Sequence, residues 1–237
     1  MKMMIVASAL IVAGASNALA ADAAIEDVAP ASGAYDWSGF YVGVHGGYSA
    51  GKSQYGVYEL DMLRVFADPD PRGYLGGVHA GYVSQFSNGF VLGGEADLSY
   101  NASDGSGGAY LVMPYGNIPD PDVHVDAEVK WTGSARARLG YAMDRLLPYV
   151  TAGVAVARVE SDFIVAGNSS QPRNDTHIGW TLGMGAEYAV TEKVSLRAEY
   201  RYSDYGVQDS NLPYLGNLPA KMGLKAQDVR FGISYKF

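Results

Sequence analysis

From Asp36 onward the dominant period of the apolar residues is two, and helical spacing is hard to find over any useful length. A chain written this way can only make strands with one oily face and one polar face. The last segment shows it best: Val229, Phe231, Ile233, Tyr235 and Phe237 point one way, and Arg230, Gly232, Ser234 and Lys236 the other. Val194, Leu196, Ala198, Tyr200 and Tyr202 stand opposite Ser195, Arg197, Glu199 and Arg201. Ile178, Trp180, Leu182, Met184, Ala186 and Tyr188 form a third apolar face, and Val129, Trp131, Gly133, Ala135, Ala137, Leu139 and Tyr141 a fourth, backed by Lys130, Arg136 and Arg138. A fifth, Phe90, Leu92, Gly94, Ala96, Leu98 and Tyr100, is backed by Glu95 and Asp97.

None of the five apolar faces carries a charge, whereas their backs hold seven bases and four acids (Glu95, Asp97, Glu187, Glu199). Charges facing out would make a soluble barrel or sandwich; charges facing in would make a membrane barrel. The aromatic residues decide between them. Phe90 and Tyr100, Trp131 and Tyr141, and Trp180 and Tyr188 sit at the ends of their faces, with Tyr200 and Tyr235 on the faces that follow. Eight to ten tilted residues span about 20–25 Å, the height of an outer-membrane apolar band between its aromatic girdles. A soluble core has no reason for that spacing.

Three further segments, around Trp37–Ala50, Gly73–Phe86 and Leu147–Glu160, bring the count to eight, giving an all-β, eight-stranded antiparallel up-and-down transmembrane barrel over residues 37–237. Short links at 87–89, 144–146 and 191–193 interleave with long ones near 51–72, 101–126, 161–176 and 206–224, which puts both chain ends in the periplasm. In the N-terminal strand Phe40, Val42, Val44 and Tyr48 are expected to face lipid, and Tyr41, Gly43, His45 and Gly47 the interior. The strand from Leu147 has Ala and Gly on both faces and leaves its facing open.

Ahead of the barrel, Met1–Lys2, the apolar run from Met3 to Ala15 and Ala18–Leu19–Ala20 have the charged start, short apolar core and A-x-A exit of a secretory signal over residues 1–20; residues 21–36 read as a flexible periplasmic lead-in. Only 18 % of residues are charged, low for a chain solvated by water alone, and no cysteine is present to form a disulfide or a thiolate site. A net charge of -8 gives no electrostatic footprint for nucleic acid.

The string Trp37-Ser38-Gly39-Phe40-Tyr41-Val42-Gly43-Val44-His45-Gly46-Gly47-Tyr48, with the closing Val229 to Phe237, resembles the small outer-membrane immunogenic proteins of alphaproteobacteria, porin-like, opacity-type eight-stranded barrels. The resemblance implies an abundant outer-membrane surface protein of a Gram-negative cell, concerned with envelope integrity and with host or environmental contact; some members of the group are described as haem binders or weak porins. The terminal Phe237, with Phe231, Ile233 and Tyr235, looks like the signal read by the outer-membrane assembly machinery. Outer-membrane lipid and lipopolysaccharide are the further partners implied, with a host or surface ligand for the loops.

An eight-stranded barrel has an interior only wide enough for its own side chains. The inward charges are therefore expected to form a cross-strand ion-pair network plugging the lumen, built from Glu95, Asp97, Arg136, Arg138, Glu187, Arg197, Glu199, Arg201 and Arg230, because unpaired buried charges are heavily penalised. The interior sums to +3. A narrow polar ion path is the rival. His45 and His79 fall at one depth on adjacent strands and are the candidate haem ligands; the alternative is a pair of interior histidines satisfied by neighbours. No other metal or cofactor set is found. No Ser/His/carboxylate set can be placed together from the sequence, so no catalytic residue is expected. The loop acids Asp68, Asp70, Asp104, Asp120, Asp122, Asp126 and Glu128 lack calcium-loop spacing. The twin stretches 114–119 and 213–219 (P-Y-G-N-I-P and P-Y-L-G-N-L-P) are either a contact patch or two loops packed together.

Overall fold

The computed structural model describes residues 35–237 apart from 60–61, 68–69, 114–115, 166–167, 170–172 and 213–217, with side chains described outside 55–69, 104, 106–127, 161–174 and 208–222. The expected signal segment, residues 21–34 of the lead-in, the side chains of the two twin stretches, and those of Asp68, Asp104, Asp120, Asp122, Asp126 and His124 lie outside the described residues.

Ten strands follow one another: β1 (Gly39–Glu59), β2 (Met62–Ala67), β3 (Arg72–Gln85), β4 (Phe90–Met113), β5 (Gly116–Tyr141), β6 (Leu146–Val165), β7 (Asn168–Ser169), β8 (Arg173–Ala189), β9 (Val194–Leu212) and β10 (Leu218–Lys236). Eight of them, β1, β3, β4, β5, β6, β8, β9 and β10, pair antiparallel with their neighbours in chain order, and β10 returns to pair with β1. The wall is a closed eight-stranded barrel, so no sheet edge is left for another chain to pair with along its height. β2 and β7 stand outside that count. β2 bridges β1 and β4 beyond the end of β3, and β7 pairs the end of β6.

Following paired residues around the wall from Tyr41, through Gly81, Glu95, Arg136, Gly153, Thr181, Ser203 and Ala226, returns to β1 at Gly51, ten residues from the start. That stagger, with eight strands, tilts them by about 40° and gives a tube just wide enough to be filled by side chains. The apolar faces point outward: Val42, Val44, Leu92, Leu98, Val154, Leu182, Met184, Leu196, Phe231 and Ile233 are all exposed. The alternation reads the same way in β6, where Leu147, Tyr149, Thr151, Ala155, Ala157 and Val159 turn inward and Val150, Val154 and Val156 outward.

Two expectations change. Val129 points inward and packs on an inner apolar cluster of Ala155, Ala157, Val159, Tyr205 and Leu224. The cause is a bulge between Val129 and Trp131, which shifts the pairing with β6 by one residue and swaps the faces beyond it. The regions expected as long loops are largely continuations of the strands: β4 runs to Met113 and β5 starts at Gly116, making one hairpin that stands beyond the membrane band. Past the aromatic girdle no lipid enforces the alternation, so the sequence loses its period while the backbone ladder goes on.

At the opposite end the chain turns tightly. Phe86 N–H donates to Phe90 O at 2.7 Å, and Gly89 takes a left-handed φ of 85° after Asn88. Tyr35 of the expected lead-in and Trp37, the first residue of the expected barrel, are packed against the wall there. Tyr35 and Trp37 are buried with Tyr41, Val83, Val91, Leu147 and Ala189 in an apolar cluster. Trp37 Nε1 donates to Asp144 O at 3.0 Å, and Trp37 N to Gln85 Oε1 at 2.9 Å.

Candidate functional site

The middle of the tube is charged, and the register explains which charges meet. Glu95 on β4 lies directly across from Arg136 on β5, Glu187 on β8 from Arg197 on β9, and Glu199 on β9 from Arg230 on β10. Arg136 Nη2 donates to Glu95 Oε1 at 2.5 Å, and its Nη1 to Glu199 Oε1 at 2.6 Å and Thr151 Oγ1 at 3.0 Å. Arg197 forks between Glu95 (2.6 Å) and Glu199 (2.8 Å). Arg201 reaches both oxygens of Asp97 at 3.2 Å. Arg230 joins Asp97 (3.1 Å) and Asp228 (2.9 Å). Arg138 pairs with Glu187, and its guanidinium carbon lies 3.8 Å from the Tyr149 ring centroid.

All nine charged residues expected in the interior are therefore brought into one connected cluster. The sum differs from the expected +3. Lys130 sits at the β5 bulge, where it pairs with Glu128, and Lys236 lies at the turn end and donates to Asp36 O. Asp228, which sequence reasoning missed, enters the cluster. Extending the β10 alternation one step before Val229 would have found it. Five arginines now face five carboxylates, and hydroxyls from Tyr41, Tyr149, Ser134 and Ser195 donate to carboxylate oxygens of the same group. A neutral, hydrogen-bonded cluster is the arrangement in which buried charge persists, since each ion keeps partners in place of water.

His45 and His79 do meet. Their Nδ1 atoms are 3.3 Å apart; His45 Nε2 lies 2.8 Å from Ser99 Oγ, and His79 Nε2 2.9 Å from Ser234 Oγ. Arg230 Nη1 is 3.2 Å from His45 Nε2 and can only donate, so that nitrogen accepts. His45 then carries its proton on Nδ1, His79 accepts there, and His79 Nε2–H donates to Ser234. Glycines make the space: a Cβ on Gly43 would stand 2.5 Å from His79 Nε2, and one on Gly77 2.9 Å from His45 Nε2. Haem does not fit between these rings. They touch each other, and the cavity they line with Glu95, Asp97, Arg136, Arg197, Arg201 and Arg230 is about 10 Å³, room for one water.

The Ser99–His45 and Ser234–His79 contacts are Ser/His pairs that the sequence did not reveal, because they join residues on different strands. Both serines are sealed in the wall; Arg230 occupies the lone pair of His45 that a base would use, and the His79 nitrogen that meets Ser234 carries a proton.

Outside the wall the aromatic residues form two rows. Phe90 packs edge-on against Tyr141, and Tyr100 against Trp131, at centroid distances of 5.5 and 5.1 Å. Trp180, Tyr188, Tyr200 and Tyr235 are likewise exposed. The rows are completed by pairs the sequence reading left out of the girdles: Phe40 with Tyr82, Tyr48 with Tyr74, and Tyr202 beside Trp180. Phe231, Ile233, Tyr235 and Phe237 lie along the outer face of β10 and just past its end.

A family model described as the outer membrane protein beta-barrel domain matches residues 6–237. The chain belongs to this family. Relatives include the 31 kDa outer-membrane immunogenic protein of Brucella melitensis biotype 1, 36 % identical over 94 % of this chain and 95 % of that protein, and the 22 kDa outer membrane protein of Rhizobium leguminosarum bv. viciae, 32 % identical over 88 % and 82 %. Among solved structures, the outer membrane protein OprG of Pseudomonas aeruginosa superposes with a TM-score of 0.53 at 14 % identity, covering 86 % of this chain and 98 % of OprG. These likenesses place this small alphaproteobacterial-type barrel in the outer membrane, with its wall against lipid.

Proposed function

We propose that this outer-membrane barrel is a sealed structural element of the envelope, with its outer hairpins as a surface for host or environmental contact, and that it neither conducts nor catalyses. The observation that carries this is the filled interior: five arginines and five carboxylates interlock across the tube, with an apolar cluster at each end. An ion crossing such a lumen would have to separate these pairs, and the cavity among them has room for about one water. Surface contact falls to the hairpins by elimination, since the remainder of the outside is lipid-facing wall. Lipopolysaccharide is the lipid partner on the outer side, and the aromatic end of β10 is the segment that the assembly machinery would read. The Ser/His pairs offer no route for substrate, which supports the non-catalytic reading.

Planar-bilayer recording of the purified, folded protein is the test. Silence, or only brief unresolved spikes, is the result expected; a stable unit conductance at neutral pH would overturn the sealed reading and favour the narrow porin.

A further inference from the structure

The lipid-facing wall carries no charged side chain between its two aromatic rows among the described residues. Just beyond the outer row the charges return, and they return unevenly. On β1 Lys52 lies directly across from Lys225 of β10, both exposed and outward. Arg72 of β3 also faces outward and is paired with Ala50, one outward step below Lys52. Gln227 is the partner of Ala50 on the other side; its Oε1 accepts from Tyr200 Oη at 3.1 Å, so its amide N–H groups remain free to donate.

Like charges placed directly opposite one another in a sheet repel, and a carboxylate across from each lysine is the usual remedy. Here the remedy is incomplete. Lys225 has Asp204 at 3.3 Å and Arg72 has Asp70 at 3.7 Å, while Lys52 has no ion-pair partner among the described residues. On the far side the described charges balance: Lys130 is flanked by Glu128 and, at 3.8 Å, by Glu160, and Arg158 of β6 faces outward across from Trp131.

Height decides what anion meets the basic side. Lys52 lies four residues beyond Tyr48, whose ring packs edge-on against Tyr74 at 5.5 Å in the outer aromatic row. Four residues of tilted strand are about 10 Å, which carries the ammonium from the aromatic row into the headgroup layer.

We propose that Lys52, Lys225, Arg72 and the Gln227 amide form a binding site for a phosphate of an outer-leaflet glycolipid, on the β10–β1–β3 face. The phosphate sits between the two lysines and relieves their repulsion, and the sugar above it meets Gln227 and Arg72. The site rests on the reading of lipopolysaccharide as the outer lipid partner, and it is independent of whether the lumen is sealed.

The test uses the full folded protein in detergent micelles, with K52Q/K225Q, K52Q alone and, on β6, R158Q. Each is titrated by native mass spectrometry with bisphosphorylated lipid A and with lipid A stripped of phosphate, and the retained lipid is challenged with inorganic phosphate. The wild type is expected to hold the bisphosphorylated lipid about tenfold more tightly than K52Q/K225Q, from roughly two lost surface charge contacts. K52Q falls between them, R158Q matches the wild type, stripped lipid binds all four alike, and inorganic phosphate displaces nothing. Equal affinity of K52Q/K225Q and wild type, or an equal loss in R158Q, would overturn the site while leaving the lipid partnership. Displacement by inorganic phosphate would replace the membrane lipid by a free anion. Failure of every variant and of the wild type to retain either lipid would remove the partnership as well. Lys52 and Lys225 touch none of the interior pairs, so the heat-dependent electrophoretic shift of a folded barrel verifies each variant.

Discussion

Arg136 shares with Arg197 the link between Glu95 on one side and Glu199 on the other, and it also holds Thr151. Replacing it with Met leaves two buried carboxylates each short of a partner, and breaking a buried pair in this way costs about 3–5 kcal/mol. Urea unfolding in lipid vesicles should show that loss for R136M. R136M/E95Q should lose less than the sum of R136M and E95Q, because the second change removes a charge the first has stranded; strict additivity would mean the two side chains do not interact. Tyr35 offers a second test, at the periplasmic mouth. Burial first, then Glu187 and Glu192, push its phenol from 10.0 up to about 12. Between those values the unfolded chain has released the proton and the folded chain has not, so stability falls as pH rises through that window. Y35F should flatten the decline, and tyrosinate absorbance of the folded wild type should show one late-titrating residue that the variant lacks. Arg136 was legible in the sequence because alternation assigns every inward residue once one face is known. Tyr35 was not: it precedes the first strand, and nothing local to an Ala/Asp/Pro-rich lead-in says that a single aromatic ring will fold back under the barrel.

At the level of the strand, β1 shows how small residues set what the wall can hold. Gly43 faces inward, and a Cβ there would lie 2.3 Å from the Ile233 carbonyl oxygen as well as 2.5 Å from His79. Gly46 faces lipid, where a Cβ would meet nothing nearer than 3.7 Å. G43A should therefore cost about 1–3 kcal/mol by forcing β1 from β10, whereas G46A should stay within about 0.5 kcal/mol. Equal unfolding midpoints for the two variants would show that the β1–β10 seam has more slack than its geometry allows. The facing of both glycines followed from Phe40, Val42 and Val44, but the reason for Gly43 did not, because His79 belongs to another strand and its depth depends on register. Strand ends were hidden for a different reason. Lipid enforces alternation only over the apolar band, so β4 and β5 continue beyond it in a stretch of Gly, Ser, Asp and Pro that reads as loop.

The same boundary divides the whole molecule into two parts with different jobs. The described ion pairs of the plug, both aromatic rows and both apolar clusters belong to the wall above the tight turns, and the hairpins beyond continue its backbone pairing. In a closed barrel each strand is held on both sides along its full membrane height, so the wall's stability does not depend on what tops it. Replacing residues 105–127 of the β4–β5 hairpin by a short Asn-Gly turn should leave a barrel that still folds, still resists heat-dependent mobility change to a similar temperature, and still shows no unit conductance. Adhesion or any other surface contact tested in whole cells should weaken in proportion to the hairpins removed. If the trimmed chain instead fails to fold, the outer hairpins act as the nucleus on which the wall closes, and surface contact would be secondary to assembly. Surviving adhesion in a chain trimmed of all its outer hairpins would point the other way, to the headgroup-level wall around Lys52 and Lys225 as the surface that partners touch.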